Sequence, residues 1–279
     1  MTSAQRFRKR SLIVTIVIFF LTTVGTGIYL IVRPAATCHD GKKNQNEAGV
    51  DCGGVCGACS EIFNPEAFII RESAFVPGGN PGEYDVLVRV NNPNDELGAS
   101  ELTYEFRLLG SDGTVLATAT GKGFILPQET KTFLSVNLRS APASAPASVA
   151  IAFSGMTWQR FSGYQEKPAM SVVDKRYQEL SNSPFFGEAT GTLMNDSAFD
   201  FHAITLKVVL RDDSGKPVAL NQTEMDTVLA KENREFILRW PKPFPGHVAR
   251  VDVEPDVDFF RVGSFVERYH ATEVFQNLR

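Results

Sequence analysis

From residue 61 onward, apolar and polar residues alternate over short runs that Gly, Pro, Asn and Asp residues separate from one another. Strands with one buried face show this period of two, and the body has no helical periodicity. Clear examples span residues 84–90, 102–108 and 132–138 in the first half and 189–193, 204–210 and 235–240 in the second. The pattern predicts an all-β body.

The second set of runs repeats the first. Leu229 follows Leu126 by 103 residues, and Phe236 follows Phe133 by the same distance. The other matches are Asn91 with Asn195, Asp112-Gly113 with Ser214-Gly215, Glu129 with Glu232 and Lys131 with Arg234. About 100 residues of short strands is the size of an immunoglobulin-like sandwich. We therefore expect two tandem immunoglobulin-like β-sandwiches.

The alternation lapses between the two repeats, where Gly163, Lys167, Pro168 and Pro184 appear. The expected domains are a first sandwich at 61–162, a second at 183–265 and a C-terminal tail at 266–279. Most aromatic residues of a sandwich fill its core, and we expect this of Phe133, Phe236 and Trp240.

Residues 11–32 contain no charged residue. A helix needs about 20 residues to cross ~30 Å of hydrocarbon, whereas the apolar region of a cleaved secretory signal has only ~7–15. The length therefore predicts a transmembrane helix in contact with membrane lipid. Basic residues cluster at 6–10 before it, and the positive-inside rule keeps such a flank in the cytoplasm. We expect a single-pass protein with residues 1–10 in the cytoplasm and an extracytoplasmic body.

All four cysteines lie in a short module at residues 37–60 and are Cys38, Cys52, Cys56 and Cys59. Outside the cytoplasm thiols oxidise, and a segment this short cannot bury enough apolar surface to fold unaided. Two disulfides are the simplest interpretation. A zinc site and a redox-active pair, Cys56 with Cys59, are the alternatives. Four cysteines allow three pairings, and the sequence does not choose among them.

The same module is rich in oxygen ligands, among them Asp40, Asn44, Glu47 and Asp51. Calcium takes six to eight oxygens on a flexible loop, which makes these residues a candidate calcium site. The spacing is not that of an EF-hand. In the alternative interpretation, Asp40 and Asn44 hydrogen-bond the backbones of their own turns, as Asx residues do. Both interpretations stay open.

The module resembles a cysteine-rich repeat of bacterial surface and secreted proteins. The matching string is Cys38-x-Asp40-Gly41-x2-Asn44-x2-Glu47-x2-Val50-Asp51-Cys52-Gly53-Gly54-x-Cys56-x2-Cys59, with Ala48 where Thr is common. The resemblance implies an extracytoplasmic, stapled spacer that can bind metal.

Both halves of the body resemble the FxLYD-type immunoglobulin-like domains of prokaryotic envelope proteins. The first half carries Asn91, Phe106-x-Leu108, Asp112-Gly113 and Leu126-Pro127-Gln128-Glu129-Thr130. The second carries Asn195, Val208-x-Leu210, Ser214-Gly215 and Leu229-Ala230-Lys231-Glu232-Asn233. The tyrosine of the family motif is replaced in both. This resemblance implies architecture rather than a specific function.

The charge distribution argues against nucleic acid as a partner. The chain has 28 Lys and Arg and 32 Asp and Glu, but five bases and no acid fall within residues 1–33. The remainder therefore carries 23 bases and 32 acids, a formal charge of −9. A body this acidic has no general attraction for phosphate backbones.

No catalytic motif stands out. The four histidines are scattered, and the nucleophile elbow, the P-loop and the dinucleotide-binding glycine motif are missing. Four acids alternate along one extended segment, and we interpret them as the solvent-facing side of a strand: Asp252, Glu254, Asp256 and Asp258. We therefore expect no catalytic residues and no cofactor other than the candidate calcium ion.

These observations together predict a membrane-anchored, extracytoplasmic, non-enzymatic binding or scaffold protein of the cell envelope. Its partner would be another protein, a polysaccharide or a surface filament. The alternative is an accessory subunit of a membrane secretion or pilus-type assembly.

Overall fold

The computed structural model describes residues 3–32, 38–44, 46–57, 59, 63–140, 145–161, 167, 169–263 and 265. The expected tail at 266–279 lies outside these residues. The chain divides into two compact units, Met1–Phe63 and Asn64–Arg279.

The first unit begins with helix α1, Ser3–Val32. Within it, the stretch Arg10–Tyr29 is long and apolar enough to cross a bilayer, which fits a membrane anchor and a signal sequence alike. The large apolar side chains of this stretch are exposed around the helix. Hydroxyls of Thr15, Thr22 and Thr26 donate to carbonyls one turn earlier. These hydroxyls are therefore satisfied within the helix, which suits an apolar surrounding.

The cysteine-rich module of the same unit is held by two disulfides, Cys38–Cys56 and Cys52–Cys59. This confirms the expected disulfides and gives the connectivity that the sequence left open. Gly49 lies against the second bridge, where an added Cβ would stand 2.8 Å from Cys52 Sγ.

The second unit contains twelve strands in four antiparallel sheets. The first sandwich consists of β1 (Ile69–Pro77), β2 (Glu83–Asn91), β3 (Leu97–Leu109), β4 (Val115–Ile125), β5 (Thr130–Arg139) and β6 (Ser148–Arg160). Its sheets have the orders β1-β2-β5 and β4-β3-β6. Val86 and Val88 of β2 and Phe106 of β3 are among the side chains that fill its core.

The second sandwich repeats this topology. It consists of β7 (Met170–Glu179), β8 (Gly187–Asn195), β9 (Phe201–Arg211), β10 (Pro217–Val228), β11 (Asn233–Trp240) and β12 (Arg250–Asp256). Its sheets have the orders β7-β8-β11 and β10-β9-β12. A short 3-10 helix, Phe259–Arg261, follows β12. The expected all-β fold of two tandem immunoglobulin-like sandwiches is confirmed, and Phe133, Phe236 and Trp240 are buried as expected.

Strand register makes the repeat explicit. Leu87 pairs with Leu134 across β2 and β5, and 103 residues later Thr190 pairs with Ile237 across β8 and β11. The other sheet of each sandwich is displaced by 102 residues, because Arg107 pairs with Thr118 as Val209 pairs with Leu220.

One sequence match is wrong by one residue. The Asn92 amide donates to the carbonyls of Leu97 and Leu126 at 2.7 and 2.8 Å. Asn195 makes the same pair of bonds, to Phe199 and Leu229, both at 2.8 Å. Asn92, rather than Asn91, is therefore the counterpart of Asn195. Asn92 also keeps the 103-residue spacing of Leu126 with Leu229 and Phe133 with Phe236, which Asn91 misses by one residue.

The stretch interpreted as a linker contains a strand. Strand β7 pairs with β8 along nearly its whole length, so the second sandwich begins before residue 183. The alternation is lost because β7 is an exposed edge strand with a register shift between Val173 and Arg176. Edge strands commonly carry bulges and charged residues.

The two sandwiches pack face to face within the second unit. Sheet β1-β2-β5 meets sheet β10-β9-β12 through an apolar layer in which every central side chain is at most 5% exposed: Val76, Leu87, Leu134, Val209 and Leu220. Strand β2 therefore buries both of its faces, one in its own core and one against the neighbouring sandwich. The sandwiches form one body rather than two independently moving domains.

Candidate functional site

An open cleft of about 600 Å³ lies where the two sandwiches meet. Three charged side chains lie at its floor, and we call them the ion cluster: Lys131 of β5, Lys207 of β9 and Asp256 at the end of β12. Each strand carries its residue into the junction because the apolar layer has already brought β5, β9 and β12 together.

The geometry of the ion cluster is compact. Lys131 Nζ lies 2.6 Å from Asp256 Oδ1, and Lys207 Nζ binds the other carboxylate oxygen. Lys207 Nζ also donates to the carbonyl of Thr132 over 2.5 Å. The Lys131 ammonium lies 3.0 Å from the centroid of the Phe124 ring, a cation–π contact. One carboxylate thus joins lysines from two different domains.

Burial and pairing act against each other in this cluster. Burial raises the pKa of the Asp256 carboxyl, but the two ammonium groups outweigh it and hold the pKa well below its ordinary range. Burial lowers the pKa of Lys131, and Asp256 only partly offsets this. The carboxylate stays ionised, which suits a structural anchor better than a proton carrier.

Two of the acids interpreted as a solvent-facing row, Glu254 and Asp256, bind across the junction instead, and Asp252 reaches it through Arg211. Glu254 accepts hydrogen bonds from the amide and the hydroxyl of Thr132 at 2.9 and 2.6 Å. Asp252 accepts from Arg211 at 2.6 Å, and Arg211 also binds Glu72 of the first sandwich at 2.6 and 3.0 Å. The period of two placed these acids correctly on one side of the strand, but it could not show that another sandwich faces that side.

The fourth acid of the row has a different role. Asp258 accepts from the amide of Phe260 at 3.2 Å and begins the 3-10 helix. Burial raises its pKa.

A second cavity between the sandwiches, about 120 Å³ in volume, is lined by Asp85, Asn137 and Trp240. The backbone N–H of Asn137 donates a hydrogen bond to Asp85 Oδ1 over 2.7 Å. Burial raises the pKa of Asp85 to about 6. The hydrogen bond from Asn137 offsets this rise only in part, and the negative charge of Glu83 raises the pKa further.

The candidate calcium ligands lie in turns of the cysteine-rich module. Asp51 accepts from the amides of Asp40 and Gly41 at 2.9–3.1 Å. Asp40 accepts from the amide of Lys42 and the side chain of Asn44. Glu47 accepts from the amide of Asn44. The bond from the Lys42 amide to Asp40 matches the turn-capping interpretation, whereas Asn44 binds the Asp40 side chain and Asp51 binds backbone amides ten and eleven residues earlier.

A metal ion at this site would need ligand oxygens that are not already hydrogen-bonded within the turns. Asn44 Oδ1 is buried and has no hydrogen-bond partner, so one oxygen of the set is available. Within the described residues, no three His, Cys, Asp or Glu side chains converge in a way that could hold a metal ion. Calcium binding by Asp40, Asn44, Glu47 and Asp51 stays a prediction.

Comparisons with known proteins identify no family. No family model matches the chain, and no curated protein matches it. Among solved structures, red sea bream transglutaminase is similar at 14% identity over 70% of this chain, with a TM-score of 0.22, and the match covers 30% of the transglutaminase. The calcium-binding domain CBD12 of CALX1.1 is similar at 13% identity, over 69% of this chain and 81% of that one, with a TM-score of 0.22.

Proposed function

We propose that this protein is a non-enzymatic binding or scaffold protein of the cell envelope, anchored by α1 with its N-terminus in the cytoplasm and its body outside. The observation that carries the proposal is the character of α1, a long apolar helix whose side chains are exposed on all sides. A helix that is apolar all round needs a surrounding apolar phase. The two disulfides support an oxidising compartment for the segment that follows.

The charged group at the centre of the cleft supports binding rather than catalysis. Asp256, the buried acid at the centre of the cleft, is held ionised between two cations. A general acid or base needs a pKa near the working pH, and this group is tuned away from it.

Topology is the direct test. Proteinase K is added to intact cells that express the full chain, and antibodies against the body and the extreme N-terminus follow the fragments. We expect loss of the body while a short N-terminal fragment survives, and mass spectrometry should show that residues 1–32 remain attached to the mature chain. A body that resists protease until lysis, or a mature chain that begins after α1, would contradict the proposal.

A second candidate, an accessory subunit of a membrane secretion or pilus-type assembly, is favoured by the composition of α1. Its second half carries the small residues Thr22, Thr23, Gly25, Thr26 and Gly27. Small residues let transmembrane helices approach closely. Replacing Gly25 and Gly27 with Leu would then release the protein from a complex extracted in mild detergent, whereas the binder proposal predicts no change.

A further inference from the structure

The charged groups that line the cleft are paired with one another. The ion cluster occupies the floor. The rim carries two further ion pairs, Lys122 with Glu101 at 2.5 Å and Arg261 with Asp258 at 3.0 Å. The lining carries four cations and three anions, but the surplus cation belongs to Lys131 and Lys207, which are 2% and 8% exposed. Their ammonium groups are already bonded to Asp256 and to the Thr132 carbonyl, so the surplus charge is not open to an ionised ligand group. The pairing favours an uncharged ligand.

Several polar side chains that line the cleft form no hydrogen bond within the described part of the chain. The hydroxyls of Tyr104 and Thr205 and the amide of Gln222 make no side-chain hydrogen bond to any residue that the structure describes. Hydroxyl and amide groups both donate and accept hydrogen bonds. A ligand whose own groups also do both would satisfy these side chains without a charge.

The cleft also offers apolar surface and room. The rings of Tyr104 and Phe260 line it, and the buried Phe133 ring lies behind them. Gly123 of β4 has no side chain to fill this part of the cleft, and a Cβ there would stand 3.1 Å from the Phe133 ring. The volume falls within the range of about 300–1,000 Å³ that is typical of small-molecule sites.

We propose that this cleft binds a neutral oligosaccharide, as a segment of an uncharged surface polysaccharide. Sugar rings combine many hydroxyls with an apolar C–H face, which matches a wall of hydroxyls, amides and aromatic rings. A peptide backbone brings only one donor and one acceptor per residue. This inference rests on the proposed function and names the ligand class of the binder.

The test uses the full chain in lipid nanodiscs and isothermal titration calorimetry. The neutral probes are cellotriose, maltotriose and chitotriose, and the charged probes are trigalacturonate and tetraglutamate. We expect at least one neutral trisaccharide to bind. Gln222→Ala, Thr205→Val and Tyr104→Phe should each weaken that binding about three- to ten-fold, the range for a lost hydrogen bond. Gln178→Ala is the matched control, since Gln178 is an exposed strand amide outside the cleft.

Each result bears on the proposal. Two results would overturn the proposal. One is binding that all three cleft variants retain unchanged. The other is that none of the neutral probes binds at concentrations up to about 10 mM. Stronger binding of trigalacturonate or tetraglutamate would replace the ligand class with an acidic glycan or a peptide. Circular dichroism on each variant separates lost binding from lost fold. Protease topology does not depend on the cleft, so the proposed function can stand even if the saccharide assignment fails.

Discussion

The ion cluster predicts a large penalty for removing its single acid. Asp256→Asn keeps the shape of the side chain but leaves Lys131 and Lys207, whose side chains are 2% and 8% exposed, without a counter-ion. Breaking a buried ion pair by removing one partner typically costs about 3–5 kcal/mol, because an uncompensated charge stays buried. Asp256 serves two lysines, so we expect the upper part of this range.

Thermal and urea unfolding of the full chain in nanodiscs would measure the effect. At about 2–4 °C per kcal/mol for a domain of this size, a cost of about 4–5 kcal/mol should lower the melting temperature of the body by roughly 8–20 °C. Glu188→Gln is the control, because its partner Arg239 is 45% exposed and an exposed pair is worth at most about 1 kcal/mol. If Asp256→Asn cost no more than Glu188→Gln, the view of the cluster as a buried anchor would be refuted.

The remaining predictions concern the second cavity and the cysteine-rich module. The folded-state pKa of Asp85, about 6, lies above its ordinary value, so the folded state binds more protons between about pH 4 and 6 and stability should fall as pH rises through that window. Asp85→Asn should therefore stabilise the body at pH 7 by about 2–3 kcal/mol and have little effect at pH 4, and an equal effect at both values would contradict the assignment. Non-reducing peptide mapping should recover the bridges Cys38–Cys56 and Cys52–Cys59 and no other pairing, and their reduction should cost the module about 2–5 kcal/mol, measured as faster proteolysis. Asp51→Asn should loosen the module even in EGTA, because Asp51 binds backbone amides, whereas a loss of protease resistance seen only with calcium present would support the calcium site instead.

Much of the fold was accessible from local pattern. Alternation in β2, β3 and β5 reports which side of each strand is apolar, and the repeat of about 100 residues reports that two copies exist. Strand β7 escaped because an exposed edge strand has little reason to alternate. The disulfide pairing escaped because three connectivities share one sequence.

The cleft was largely hidden, although one signal was present. Alternation was interpreted as one buried face per strand, yet Leu87 between Val86 and Val88, and Val209 between Val208 and Leu210, make both faces apolar. Strands buried on both faces have such continuous apolar runs. Lys207 inside one of these runs was the sign of a buried, paired cation, but its partner Asp256 lies 49 residues further on and only the fold brings the two together.

The register repeat has a consequence for self-association. The two outermost sheets, β4-β3-β6 and β7-β8-β11, contain the positions that correspond to the buried junction. At these positions they have Arg107, Thr118 and Thr190, whereas the junction has the apolar Val209, Leu220 and Leu87. If both outermost sheets carried apolar side chains at these positions, modules could stack head to tail without limit. Polar end caps terminate such arrays in solenoid proteins. Ile237, which corresponds to Leu134, is exposed, but the polar residues at the other positions lower the tendency of neighbouring copies to stack on the outer sheets.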